Sequence, residues 1–231
     1  MTVLLLRLAG PLQSWGTQSR WGDRDTGLEP SKSGVVGVIA CALGRERSAS
    51  VTDLARLRFG VRVDKEGHFE SDFHTVLDAA RVPEKQSDSR NAVMTNRRYL
   101  ADADFLVGLE GDPEMLQEID DALRHPHWPL FLGRRAFAPS IPIAFPLRGP
   151  LAPPIRTGSL EEVLPSVPRL AHYSDEPELK DLRLILEVPV DQAYAVRLDQ
   201  PIGSAFATRE FATRGVRHSL LSAKDIVTVT M

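Results

Sequence analysis

One cysteine, Cys41, is all the chain has. No internal disulfide can form, and a cysteine-based zinc site is excluded for want of ligands. Cys41 sits in an apolar segment and reads as a small core residue. Aromatics are scarce at 6%. No run approaches the roughly 20 apolar residues that a bilayer crossing requires. The apolar opening, Val3–Leu8, is too short for a secretory signal and has no positive flank before it. A cytoplasmic, non-membrane protein is expected. Lysine is also scarce: 23 of the 28 basic residues are arginine.

That last imbalance matters because the net charge, −3, argues by itself against a nucleic-acid partner. Arginine's planar fork suits phosphate and base stacking better than lysine does. The charge is also segregated. Residues 100–123 carry eight acids and no base, while arginines gather at 20–24, 45–47, 56–62, 90–98, 134–135 and 209–217. A basic face opposite an acidic one reconciles the net charge with RNA binding. A solvated mixed surface is the plainer alternative.

The chain of 231 residues is long enough for one large unit or two unequal ones. Val3-Leu4-Leu5-Leu6-Arg7-Leu8 reads as a strand buried on both faces, ended by Gly10-Pro11. Gln13, Ser14, Trp15 and Gly16 follow with a site-like composition. Residues 17–33 lack apolar periodicity, and Arg20, Trp21 and Arg24 there suit single-stranded nucleic acid. Ser33 is expected to cap a helix from Gly34 to Leu43, with Gly34, Gly37, Ala40 and Gly44 forming a small-residue face. Ser31-Lys32-Ser33-Gly34 offers free amides to an anion. It is not a Walker loop, since the lysine precedes the glycine.

Strands are expected at 57–63, 68–76 and 105–109. A polar arm over about 76–100 interrupts them. A helix opens at Asp112-Pro113, with Met115, Leu116, Ile119 and Leu123 on one face. A strand at 130–132 then leads into Gly133-Arg134-Arg135. This order fits an α+β, ferredoxin-like (RRM-like) domain at 1–140. Prolines crowd the remainder, and short strands at 182–188, 193–198 and 225–230 suggest a smaller β-rich lobe at 141–231.

Several segments, in order, resemble the CasD family of CRISPR-associated RAMP proteins, subunits of type I-E Cascade. They are RLAGPLQSWG at 7–16, PSKSGVVGVIACALG at 30–44, DFHTVLDA at 72–79, RRYLADADF at 97–105, LFLGRRAF at 130–137 and FATREF at 206–211. The resemblance implies a non-catalytic RAMP subunit. It would bind and cap the five-prime handle of the guide crRNA in antiviral defence. It would contact the repeated RAMP backbone subunit and the large subunit of Cascade. It also implies RNA contacts at Gln13, Trp15, Lys32, Ser33, His74, Arg97, Arg98, Arg134, Arg135 and Arg209, alongside Arg20 and Arg24 from the loop. Gly133 is expected to let both Arg134 and Arg135 turn toward one groove.

The alternative is a metal-independent endoribonuclease that processes repeat RNA, as in type I-C relatives. Such chemistry needs a base near the 2′-hydroxyl and cations for the developing phosphorane. His74, Tyr99 and Lys85 have the right chemistry, but no spacing forces them together. His125 and His127 read as surface residues without metal partners. No cofactor and no metal are expected.

Overall fold

The structure, a computed structural model, describes residues 1–17, 22–76, 93–170, 181–222 and 226. Its elements run β1 (Thr2–Gln13), β2 (Asp23–Arg24), α1 (Lys32–Ala42), α2 (Thr52–Ala55), β3 (Arg58–Lys65), β4 (His68–Val76), β5 (Val93–Gly111) and α3 (Pro113–Arg124). Then come β6 (Ile155–Thr157), α4 (Leu160–Ser166), β7 (Leu182–Glu187), β8 (Ala195–Ile202) and β9 (Glu210–Leu221). The nine strands form one sheet in the order β6-β1-β5-β3-β7-β9-β8, with β2 and β4 attached to β5. Every pairing of named strands is antiparallel except β2 with β5.

The opening strand is buried on both faces, as its unbroken apolar run requires. Leu4, Leu6 and Leu8 join a core with Val35, Ile39, Leu116 and Ile119 on the α1 and α3 side. Val3 and Leu5 join a second core with Leu160 and Leu164 of α4 on the other. The sheet is therefore the middle layer, and alternation along β1 divides its side chains between two cores.

Three expectations are corrected. Gly10-Pro11 does not end β1: the ladder pairs Gly10 with Ala103 and Leu12 with Ala101, and continues to Gln13. Pro11 is exposed, where a missing donor does little harm. The first helix starts at Lys32 with Ser31, not Ser33, as its cap; Ser31 Oγ accepts from Gly34 N at 3.3 Å. Residues 130–132 form no strand, because a turn satisfies their backbone: Leu132 N donates to Phe137 O and Ser14 N to Leu132 O. The sheet draws strands from both sides of residue 140, since β6 pairs with β1 and β7 with β3. The strand expected at 225–230 falls largely outside the described residues.

The strand at 105–109 proves to be the inner part of the 19-residue β5, whose residues 93–101 leave the core and form a hairpin with β4. The helix at 113 matches its reading: Asp112 Oδ2 accepts from Met115 N at 3.1 Å, and Leu116, Ile119 and Leu123 are buried. No helix among the described residues is long and apolar enough to cross a membrane.

Candidate nucleic-acid interface

Where β5 leaves the core, three separate segments converge on it. β4 pairs along one edge, placing Asp72 opposite Arg97. The short β2 pairs along the other, placing Arg24 opposite Arg97. Gly22 O accepts from Asn96 N at 2.8 Å and fixes that approach. The third segment is the turn at 132–137. Gly133 has φ +88°, and a Cβ there would stand 1.8 Å from Ser14 O. Only glycine fits both the left-handed backbone and the contact.

The turn delivers Arg134 to the hairpin. Arg134 Nη2 donates to Arg98 O at 2.7 Å, and its Cζ lies 5.4 Å from the Phe137 ring centroid. Phe137 in turn meets Tyr99 edge-to-face at 5.6 Å. Arg97 Nε donates to Thr95 Oγ1 at 3.3 Å. Partial burial, followed by the guanidinium groups of Arg97 and Arg24, pushes Arg134 below its ordinary pKa. Like charges held together in this way raise each other's free energy, and an anion relieves them. Asp72, which also holds His74, opposes the Arg134 shift in part, and Asp23 lies 3.8 Å from Arg98. Arg24, Arg97 and Arg134 therefore form a cationic face backed by Tyr99 and the buried Phe137. This is the arrangement single-stranded nucleic acid favours.

Several expected contact residues lie elsewhere. Gln13 and Trp15 are 0% and 1% exposed. Gln13 Nε2 donates to Ala103 O at 2.8 Å and Leu8 O at 3.2 Å, while Trp15 Nε1 donates to Gln13 Oε1 at 3.1 Å. The Trp15 ring packs where a side chain at Gly34 would sit. Both residues are internal fasteners between β1, β5 and α1, because β1 runs on to Gln13 and delivers the chain at Trp15 against α1.

Lys32 is 2% exposed and is held by Glu187, with Nζ to Oε2 at 2.9 Å. Burial lowers its pKa, and Glu187 opposes that shift. The helix N-terminus does attract an anion, but the protein supplies its own: Asp199 Oδ2 accepts from Lys32 N at 2.9 Å. Ser33 Oγ donates to Ser31 Oγ at 3.5 Å. Arg134 and Arg135 do not share a groove. Arg134 reaches the hairpin, while the exposed Arg135 acts on the Cys41 thiol of α1, opposing the upward shift that burial causes. Arg209 is exposed with φ +53° and follows a turn tied to loop 47–49 through Ala207 N to Arg47 O at 2.8 Å. Arg20, Trp21 and the arm's Arg81, Lys85 and Arg90 lie outside the described residues.

The sequence reading missed Tyr99, Thr95 and Phe137 as parts of this face. Their signal was alternation: Thr95, Arg97 and Tyr99 share one side of a strand that was read as a loose arm.

Comparison with known proteins identifies the class. A family model described as CRISPR-associated protein, Cas5, matches residues 3–217, so the chain belongs to the CRISPR-associated Cas5 family. Within it, the chain is similar to the Cascade subunit CasD of Escherichia coli (strain K12). The two are 36% identical over 160 residues, covering 63% of this chain and 69% of that one. Two solved structures are also similar. A crystal structure of a Cas protein has a TM-score of 0.76 at 40% identity, covering 98% of each chain. A chain of a CRISPR RNA-guided surveillance complex has a TM-score of 0.73 at 35% identity, covering 95% of this chain and 90% of that one.

Proposed function

We propose that the protein is the non-catalytic subunit of a type I-E Cascade that binds the five-prime handle of the crRNA. The observation that carries this is the cluster of Arg24, Arg97 and Arg134. Desolvation and mutual repulsion already press on Arg134, and a phosphate backbone offers the charges and acceptors the cluster needs. Similarity to CasD and to a chain of an RNA-guided complex supports RNA as that polyanion. The repeated RAMP backbone subunit and the large subunit are the protein partners this reading implies.

The antiparallel order β6-β1-β5-β3, with α1 and α3 against one face, is read as a ferredoxin-like, RRM-like unit. The hairpin of β4 and β5 is then its arm, and β7, β9 and β8 extend the same sheet. The endoribonuclease alternative would draw on His74, which is held by Asp72 on the same side of the hairpin as Arg97 and Tyr99.

The test is titration of the purified protein with single-stranded handle RNA at several salt concentrations, in EDTA. Binding that weakens steeply with salt and leaves the RNA intact is expected. Site-specific cleavage that disappears in His74→Ala would establish the endoribonuclease instead.

A further inference from the structure

The hairpin of β4 and β5 has two faces of different chemistry, and the arginine cluster uses only one. Side chains alternate along a strand. The register sets Glu70 opposite Tyr99, Asp72 opposite Arg97 and His74 opposite Thr95 on the cluster's side. On the reverse lie Phe69 opposite Leu100, Ser71 opposite Arg98, Phe73 opposite Asn96 and Thr75 opposite Met94. Phe69, Phe73 and Met94 are 54%, 61% and 63% exposed. Asn96 and Arg98 are exposed beside them. Both β4 carboxylates, Glu70 and Asp72, fall on the cluster's side. The acid that pairs with Arg98 is Asp23, at a long 3.8 Å.

We propose that this reverse face is a nucleobase-stacking platform, on which Phe69 and Phe73 carry bases of a single-stranded RNA. The inference rests on the RNA reading above and extends it from phosphates to bases. The rings stand four residues apart on one strand, about 13 Å. The small Ser71 between them leaves each ring face open. Directly across, the Asn96 amide and the Arg98 guanidinium offer hydrogen bonds to base edges and a second planar surface. Rings, a methionine and an arginine would suit a protein partner as well, and what favours RNA is the charge: Arg98 occupies the middle of the face and no β4 carboxylate shares it. The positive charge and the absence of β4 carboxylates complement a polyanion. The platform also continues around the strand into the arginine cluster, so one strand of RNA can meet both.

The test compares Phe69→Leu/Phe73→Leu with Arg97→Ala/Arg134→Ala. The leucines keep apolar bulk and remove only the rings. Affinity for a labelled single-stranded handle RNA is measured across salt concentrations, and again with abasic substitutions in that RNA. The phenylalanine variant is expected to lose about tenfold per ring. Its salt slope stays at the wild-type value, and it no longer distinguishes intact from abasic RNA. Wild-type affinity in the phenylalanine variant, with loss in the arginine variant, would refute the platform and leave the RNA reading standing. Wild-type RNA affinity combined with failed assembly onto the other subunits would assign the face to a protein and likewise overturn the proposal. Unchanged affinity in both variants would remove the RNA reading itself.

Discussion

Arg62 and Arg97 are the same side chain on neighbouring strands, β3 and β5, and the protein treats them in opposite ways. Arg62 is 0% exposed. It pairs with Asp64 through Nε at 2.7 Å and Nη2 at 2.8 Å. It also donates to the carbonyls of Leu164 at 2.8 Å, Val167 at 2.5 Å and Pro168 at 2.9 Å. Its fork closes the C-terminal end of α4, where unpaired carbonyls and the helix dipole favour a cation. Asp64 completes the unit by accepting from Leu170 N at 2.7 Å. Arg97 instead donates to one hydroxyl, with Asp72 and Arg24 as its cross-strand neighbours and Arg134 beside it. The lesson is that an arginine's role here follows from its acceptors: a guanidinium satisfied from within holds the fold, and one with few internal acceptors keeps donors to spare.

The sharpest way to break this comparison is Arg62→Ala. It leaves Asp64 charged and buried with several carbonyls unpaired, and is expected to cost about 3–5 kcal/mol. Thermal denaturation checks it. The double change Arg62→Met/Asp64→Leu should recover most of the loss, because no lone charge remains. A normally melting Arg62→Ala protein would show that the buried cluster does not hold the fold.

Next comes Gln13→Ala, which strands Trp15 Nε1 and the carbonyls of Leu8 and Ala103 in the core. A loss of about 1–3 kcal/mol is expected, seen as a Tm lowered by roughly 2–4 °C per kcal/mol. Unchanged stability with weakened RNA binding would return Gln13 to the interface.

Arg97→Ala/Arg134→Ala should move stability by only about 0.5–1 kcal/mol per site, since each half-buried side chain gives up a single hydrogen bond. The salt dependence of RNA binding should flatten by about 0.7 for each single-strand phosphate that is no longer neutralised. Parallel melting and titration separate the two readouts.

The smallest effect is electrostatic. Glu161 of α4 sits below its ordinary value of 4.5, chiefly because it accepts from Arg58. Its folded pKa is thus lower than its unfolded one. The stability this pair adds is fully present above about pH 4.5 and is lost as pH falls through the folded value. Glu161→Gln should flatten that acid limb slightly, by an amount solvent screening keeps small. Melting curves between neutral and acidic pH detect it.

The two regions were also unequally legible. Val3–Leu8 announced its place, because an unbroken apolar run has no solvent face to spare. The helix at 113 announced itself through Asp112, Pro113 and its 3.6-residue spacing. At the hairpin the residue types Arg24, Arg97, Arg98 and Arg134 were readable, as was their likeness to known RNA-binding subunits. Their partners were not, since β2, β5 and the Gly133 turn are far apart in the chain. β9 was missed because it alternates weakly and carries Arg214 inward, onto Asp199 at 2.8 Å.

Sequence alone therefore determined the buried strand, the amphipathic helix, the arginine-rich chemistry and the family, all of which depend on local pattern or ordered motifs. Tertiary structure decided which polar residues were already satisfied. Lys32 at a helix start and Gln13 after a glycine–proline pair both look free in one dimension. Glu187, Asp199 and Ala103, all more than 85 residues away in the chain, take them up. A hydrogen-bonding group is open to a ligand only when the fold leaves it without a partner, and partners at that separation are set by strand register and packing.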